Sequence, residues 1–295
     1  SRLSRASDRL RLVDAAQIVQ DVMSYDDAAQ WPAFADGFGH SLQRLDPFLS
    51  GLAPGNWISA EPNPGTYAPS TTGALLPTFD ALSFDLSPVA GTDLQITATV
   101  ADADEVSVGY VIGFGTEVVV ATEVADGTVS VTIPGQPAGT LIRFRLIGSG
   151  PGGEGTWPRQ GDGAKYEGTV ARSEPTEASE LPRLQLFMPD EVYDAASRDT
   201  SLYGDEGYPV VIAFEGHVFD NATMRIKGNQ ARSNPKRKWK VMLPPGREFD
   251  AAGRIASPVD QFDLLPAATD KSYSREILTA DMQLFSGGYA QQAFP

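Results

Sequence analysis

Residues 222–241 read Ala-Thr-Met-Arg-Ile-Lys-Gly-Asn-Gln-Ala-Arg-Ser-Asn-Pro-Lys-Arg-Lys-Trp-Lys-Val, a basic run that the rest of the chain does not repeat. Nine of the 23 Lys and Arg residues fall within 225–254 (Arg225, Lys227, Arg232, Lys236, Arg237, Lys238, Lys240, Arg247, Arg254), against two acids, Glu248 and Asp250. The other 265 residues carry 14 basic and 36 acidic groups, and the formal net charge is −15. A strongly acidic chain that gathers its cations at one place suits phosphate or another polyanion there. Strand alternation puts Lys238 and Lys240 on one face, with Trp239 and Val241 on the other. Lys227 stands two residues after Arg225 on the preceding strand. Gly228 lets backbone approach a phosphate closely, and Asn229 and Arg232 can donate to phosphate oxygens. The plainer alternative is a solvated charged face, and Lys-Gly-Asn also describes an ordinary strand-to-turn exit. No G-x-G-x-x-G or Walker-type loop accompanies the cluster.

Other chemistry has little material. There is no cysteine, which excludes disulfides, thiolate metal sites and cysteine nucleophiles. The two histidines, His40 and His217, stand far apart in sequence, so a multi-histidine zinc site or a Ser-His-Asp triad is not expected. Asp102, Asp104 and Glu105 lack the glycine and distal glutamate of a calcium loop and read as a solvated turn. Asn221-Ala-Thr223 is a glycosylation sequon. Trp31, Trp57 and Trp157 read as core anchors. The net charge argues against nucleic-acid or anionic-membrane binding by the whole chain. No apolar run approaches the ~18 residues of a membrane span.

The elements that must position the basic cluster follow from apolar periodicity. At 295 residues, with 29 Gly and 22 Pro, several short-stranded domains are expected. Leu10 and Leu12 alternate with Arg9 and Arg11, and 18–25, 41–46 and 56–58 read as further strands. These form a first β module over 1–68. A Pro/Gly/Ser/Thr-rich linker spans 69–82. Several strands at close spacing, with Gly/Pro/Asp turns, predict an immunoglobulin-like sandwich over 83–171, and 148–163 reads as a glycine-rich loop. An acidic, polar linker covers 172–181. The third module, 182–295, opens with a strand at 184–188 and a short helix behind Pro189. Strands follow at 208–214, 222–227, 238–243 and near 263, and the spacing then turns helical over 272–285. Strands followed by a helix predict an α+β unit. The expected fold is therefore multidomain: two β-sandwich modules, then an α+β lobe. The missing Met and the ending within a helix and turn suggest a fragment of a longer chain.

The third module resembles the CotH kinase-like family, the spore-coat protein H type of atypical kinase. The matching residues are Arg225-Ile-Lys-Gly-Asn229, Pro235-Lys236, Trp239-Lys240-Val241 and Asp270-Lys-Ser-Tyr-Ser-Arg-Glu276. The family pattern has Ser where Lys238 stands here, and Ser near Ala231 or Ser233. Residues 8–68, with Tyr25-Asp26-Asp27, Trp31-Pro32, His40-Ser-Leu-Gln-Arg-Leu-Asp-Pro47 and Asn56-Trp57, look like the last half of a lamin-tail domain. The stretch Ile133-Pro-Gly-Gln-Pro-Ala-Gly139 is similar to sandwich modules found between such domains.

The resemblance implies a kinase-like small lobe, a bacterial extracellular or cell-envelope setting, and a parent enzyme using ATP and Mg²⁺ to phosphorylate protein. A kinase-like small lobe needs a strand cation on the nucleotide phosphates and a helix carboxylate to hold it. Lys240 and Glu276 are the candidates for that pair, with Lys227 as the other strand cation and Gly228, Asn229 and Arg232 around the phosphates. The catalytic and metal-binding Asp residues of such kinases lie beyond the helix, so no catalytic or metal residue is expected in this chain. The alternative is a non-catalytic modular surface or scaffold protein with a degenerate kinase-like unit. A cell-surface or polymer ligand of the β modules is the expected partner there. A third reading makes 225–240 a general polyanion-binding ribbon.

Overall fold

The computed structural model describes residues 4, 7–27, 30–65, 73–159, 162–173, 183–198, 207–228, 237–250, 258–265, 278, 279, 282, 283, 285 and 286. It divides into two compact units: Ser1–Pro175 with Gly216–Val218, and Thr176–Glu215 with Phe219–Pro295.

The first unit begins with two separate antiparallel pairs. Strand β1 (Ser7–Val13) pairs with β2 (Val19–Asp26), and β3 (Ser41–Arg44) pairs with β4 (Trp57–Ala60). Among the described residues the expected first sandwich is therefore not formed. Pro, Gly and Asp residues at 32–39 and 46–55 interrupt the strands, which leaves two small ribbons rather than two facing sheets. Hydrogen bonds hold the β3–β4 connection. Asn56 Oδ1 accepts from the Asp46 amide at 2.9 Å, and Asn56 Nδ2 donates to the Asp46 carbonyl at 2.9 Å. Arg44 ion-pairs with Asp21 on β2, which ties the two ribbons together.

The sandwich follows, built from β5 (Thr78–Phe84), β6 (Leu94–Ala101), β7 (Glu105–Ile112), β8 (Val118–Thr122), β9 (Val124–Ala125), β10 (Thr128–Ile133), β11 (Leu141–Gly150), β12 (Gly153–Trp157) and β13 (Glu167–Val170). One sheet has the order β5-β6-β10-β9 and the other β12-β11-β7-β8, with β13 on β11. Alternation decides what lies between them. Leu94, Ile96 and Ala98 on β6 and Val129, Val131 and Ile133 on β10 meet Val108, Phe144 and Leu146 from the opposite sheet, all buried. The Phe84 ring meets Phe144 edge-on at 4.9 Å.

The second unit is a five-stranded antiparallel sheet in sequential order: β14 (Leu184–Phe187), β15 (Tyr208–Phe214), β16 (His217–Ile226), β17 (Trp239–Met242) and β18 (Gln261–Leu264). Helix α1 (Asp190–Arg198) joins β14 to β15 and starts behind Pro189, whose carbonyl accepts from the Val192 and Tyr193 amides at 3.0 Å.

The expected α+β kinase-like lobe is overturned, because the protein is nearly all β and α1 is its one regular helix among the described residues. Residues 278, 279, 282, 283 and 285 are helical, but the described members of the predicted apolar side do not cover the core. Leu278, Met282 and Phe285 are 56, 72 and 96% exposed. The physical reason lies in the sheet. Phe249 fills the core beside it, with ring centroids 4.8 Å from Phe214 and 4.6 Å from Phe262.

Candidate functional site: a cationic sheet face

The basic cluster becomes a hairpin. In register, Arg225 on β16 stands opposite Lys240 on β17, and Lys240 stands opposite Asp263 on β18. The alternate residues Met224, Trp239, Val241, Phe262 and Leu264 turn to the apolar core, and Ile226 is buried. One face of three adjacent strands thus holds a row of Arg225, Lys240 and Asp263, while the other face is hydrophobic. The hairpin runs one step further: the Lys227 amide donates to the Lys238 carbonyl at 2.9 Å, which brings both lysines beside the row.

The charges do not cancel evenly. Lys227 Nζ ion-pairs with Asp263, whose side chain is only 17% exposed. Lys240 is half-buried, and among the described residues it has no ion-pair partner. Like charges directly opposite on neighbouring strands disfavour pairing, on the scale of roughly 0.2–1 kcal/mol per pair. An anion over Arg225 and Lys240 would reverse that term.

Of the residues singled out in the sequence, Lys227, Gly228 and Lys240 come together on this hairpin. Asn229, Arg232 and Glu276 lie outside the described residues, so the Lys240–Glu276 pair does too. Gly228 has a structural task of its own: its φ of 84° is the left-handed conformation that lets the chain leave β16. Asp263 was read only as part of a short strand; its position across from Lys240 was hidden because register is not written in the sequence. Toward the phosphate half of the cofactor implied by the family resemblance, the face offers Lys240, which has no ion-pair partner among the described residues, while Arg225 and Lys238 already have interactions of their own. It does not fit the Mg²⁺ half. Its one carboxylate, Asp263, is taken by Lys227, and no group of three His, Asp or Glu residues gathers among the described residues.

A second feature, in the first unit, was not legible in the sequence. The Arg159 guanidinium donates to the carbonyls of Gln30, Pro54 and Trp57, the second at 2.9 Å. Its backbone amide donates to Asp162, which also accepts from the Ala33 amide, each at 3.2 Å. Burial lowers the Arg159 pKa to about 10, with Asp162 opposing the shift. Beside it lies a hollow of about 330 Å³ lined by 58–59, 76–79 and 154–157 together with Gln30 and Arg159.

No described helix is long and apolar enough to cross a membrane. A scan of protein-family models finds no match, and a search of curated proteins finds none. Among solved structures, the chain shows a likeness to one titled "Crystal structure of Br derivative BhCBM56". The identity is 14% and the TM-score 0.23, over 27% of this chain and 83% of that one. A likeness at that level carries no argument for fold or function.

Proposed function

We propose that this chain is a non-catalytic, modular β-protein of the surface or scaffold kind, whose second unit binds an anionic ligand through its cationic sheet face. The observation that carries the reading is Lys240, half-buried and without an ion-pair partner among the described residues, while Asp263 opposite it is engaged by Lys227. The sandwich over 78–170, with two antiparallel sheets packed on one core, supports an immunoglobulin-like binding module beside it. An exported, cell-envelope setting suits both parts.

Titration calorimetry with sodium tripolyphosphate tests this. Binding should weaken steeply with added salt and fall about tenfold in Lys240→Ala, with thermal stability not lowered, since an opposed like charge is removed. No heat at low salt, or equal binding by the variant, overturns it. A second reading, a nucleotide-phosphate site from an ATP-dependent protein kinase-like parent, is favoured by Lys240 having no ion-pair partner among the described residues. It predicts that ATP binds more tightly than tripolyphosphate. Equal or weaker binding of ATP leaves the general anion site.

A further inference from the structure

The hollow of about 330 Å³ in the first unit is walled by residues of β4, β5 and β12. Backbone around it is already engaged. The Leu76 amide donates to the Gly55 carbonyl at 3.1 Å, Pro77 has no N–H, and the Trp57 carbonyl accepts from Arg159. A Cβ on Gly155 would stand 2.0 Å from the Pro77 carbonyl oxygen, so β12 lies directly on that segment. Little main chain is left here to pair with a ligand.

The side chains are in the opposite condition. Gln30, Ser59, Thr78 and Glu154 line the hollow, and their side chains have no hydrogen-bond partner among the described residues. Trp157 lines it too, and its Nε1 is buried without a partner. A buried donor left so is costly, and an acceptor brought to it removes the cost. The mixture of groups is informative. The amide and the two hydroxyls both donate and accept, the carboxylate accepts, and the indole donates. Ligand hydroxyls do both, so they can pair with each of these groups. Charge narrows the choice. The cation in the wall, Arg159, is held by three carbonyls, which leaves it nothing to offer an anion. Glu154 is exposed, where a single ion pair is worth little, so a cation gains little as well. Phe79 and Trp157 add aromatic wall. Donors and acceptors beside an aromatic wall, in a hollow at the low end of ligand-site sizes, suit a small neutral ring that carries several hydroxyls.

We propose that the hollow binds one pyranose ring of a saccharide, with the ring hydroxyls on Gln30, Ser59, Thr78 and Glu154 and its C–H face on the aromatic wall. The site lies in the first unit and does not rest on the cationic face, so the tripolyphosphate titration and the one that follows can fail separately. The methyl pyranosides of glucose, galactose, mannose and N-acetylglucosamine are titrated, each alone, into the ¹⁵N-labelled chain and followed by NMR. At least one should give saturable shifts at millimolar concentration, confined to the amides of β4, β5 and β12, the Gln30 side-chain amide and the Trp157 indole. Thr78→Val keeps the side-chain shape and loses the hydroxyl, and should weaken that binding about fivefold, the scale of one neutral hydrogen bond. Glu154→Ala removes a charged acceptor and should weaken it about tenfold. The linear trisaccharide of the sugar that binds then separates two sources of the ring. A ring within a chain binds at least as well as the methyl glycoside, and a free sugar binds where the trisaccharide does not; both support the site. Four results overturn it: no saturable shifts from any of the glycosides at tens of millimolar, shifts scattered beyond the three strands, undiminished binding by both variants, or equal shifts from cyclohexanol, a ring with a single hydroxyl.

Discussion

The sandwich of 78–170 and the sheet of 184–264 are both antiparallel, and they use their faces differently. In the sandwich, β6 and β10 send apolar residues inward against β7 and β11, and polar residues such as Gln95, Ser130 and Thr132 bond one another outside. In the second unit, β16, β17 and β18 put hydrophobic residues on one face and Arg225, Lys240 and Asp263 on the other. The first arrangement optimises a core between two layers. The second reserves a face for charge, and that is where the chain concentrates its cations. The contrast suggests that stability and anion binding can be altered separately.

The largest expected effect separates the two units. Phe144 and Phe249 are 0% and 1% exposed, and truncating a buried Phe costs about 3–5 kcal/mol. Phe144→Ala should lower the unfolding transition of the first unit alone, and Phe249→Ala that of the second. Unfolding monitored by residue-resolved hydrogen exchange checks this. If either variant lowers protection equally in both units, the units are not independent in stability.

A smaller effect is expected at Arg159. Arg159→Ala leaves three carbonyls without their donor, and a buried acceptor left unsatisfied costs about 1–3 kcal/mol. Protection of the amides in β3 and β4 should drop more than that of β6 and β10. Uniform loss across the unit would show that the arginine supports the sandwich core instead.

The smallest effect depends on pH. The Arg145 guanidinium, 2.7 Å from Glu117, holds that carboxyl below its ordinary pKa. A carboxylate with a lowered folded pKa adds stability above its unfolded value, about 4.3, and loses it as pH falls through the lower folded value. Arg145→Met should therefore cost about 1 kcal/mol at pH 7, and the difference should close at acid pH. Denaturant melts at pH 7 and pH 3 measure it; a constant difference would assign the effect to packing.

Much of the β structure was legible because alternation is a local signal. Leu94, Ile96 and Ala98, or Val129, Val131 and Ile133, mark their strands and their buried face at once. The cationic face was legible to the same extent, since Lys238 and Lys240 share a side wherever the strand lies. Its partner Asp263 was not, because pairing brings together residues far apart in sequence. The α+β lobe was misjudged because the apolar periodicity over 272–285 does not say what it packs against: 278, 279, 282, 283 and 285 are helical, but Leu278, Met282 and Phe285 are exposed. The glycine-rich stretch 148–163 misled in the opposite way. It contains the β11–β12 hairpin, in which Gly150 pairs with Gly153. A Cβ on Gly152 or Gly155 would stand 2.0 Å from the carbonyl oxygen of Leu75 or Pro77, so these glycines permit close packing and do not signal a loop.

The Arg159 contacts also govern how the molecule takes a mechanical load. The guanidinium grips carbonyls of Gln30, Pro54 and Trp57 from a residue that directly follows β12 and Pro158. Tension on the first ribbons passes through several hydrogen bonds sheared at once, in parallel with the covalent stretch 61–77. The ribbons therefore share a load with the sandwich through these hydrogen bonds as well as through the backbone.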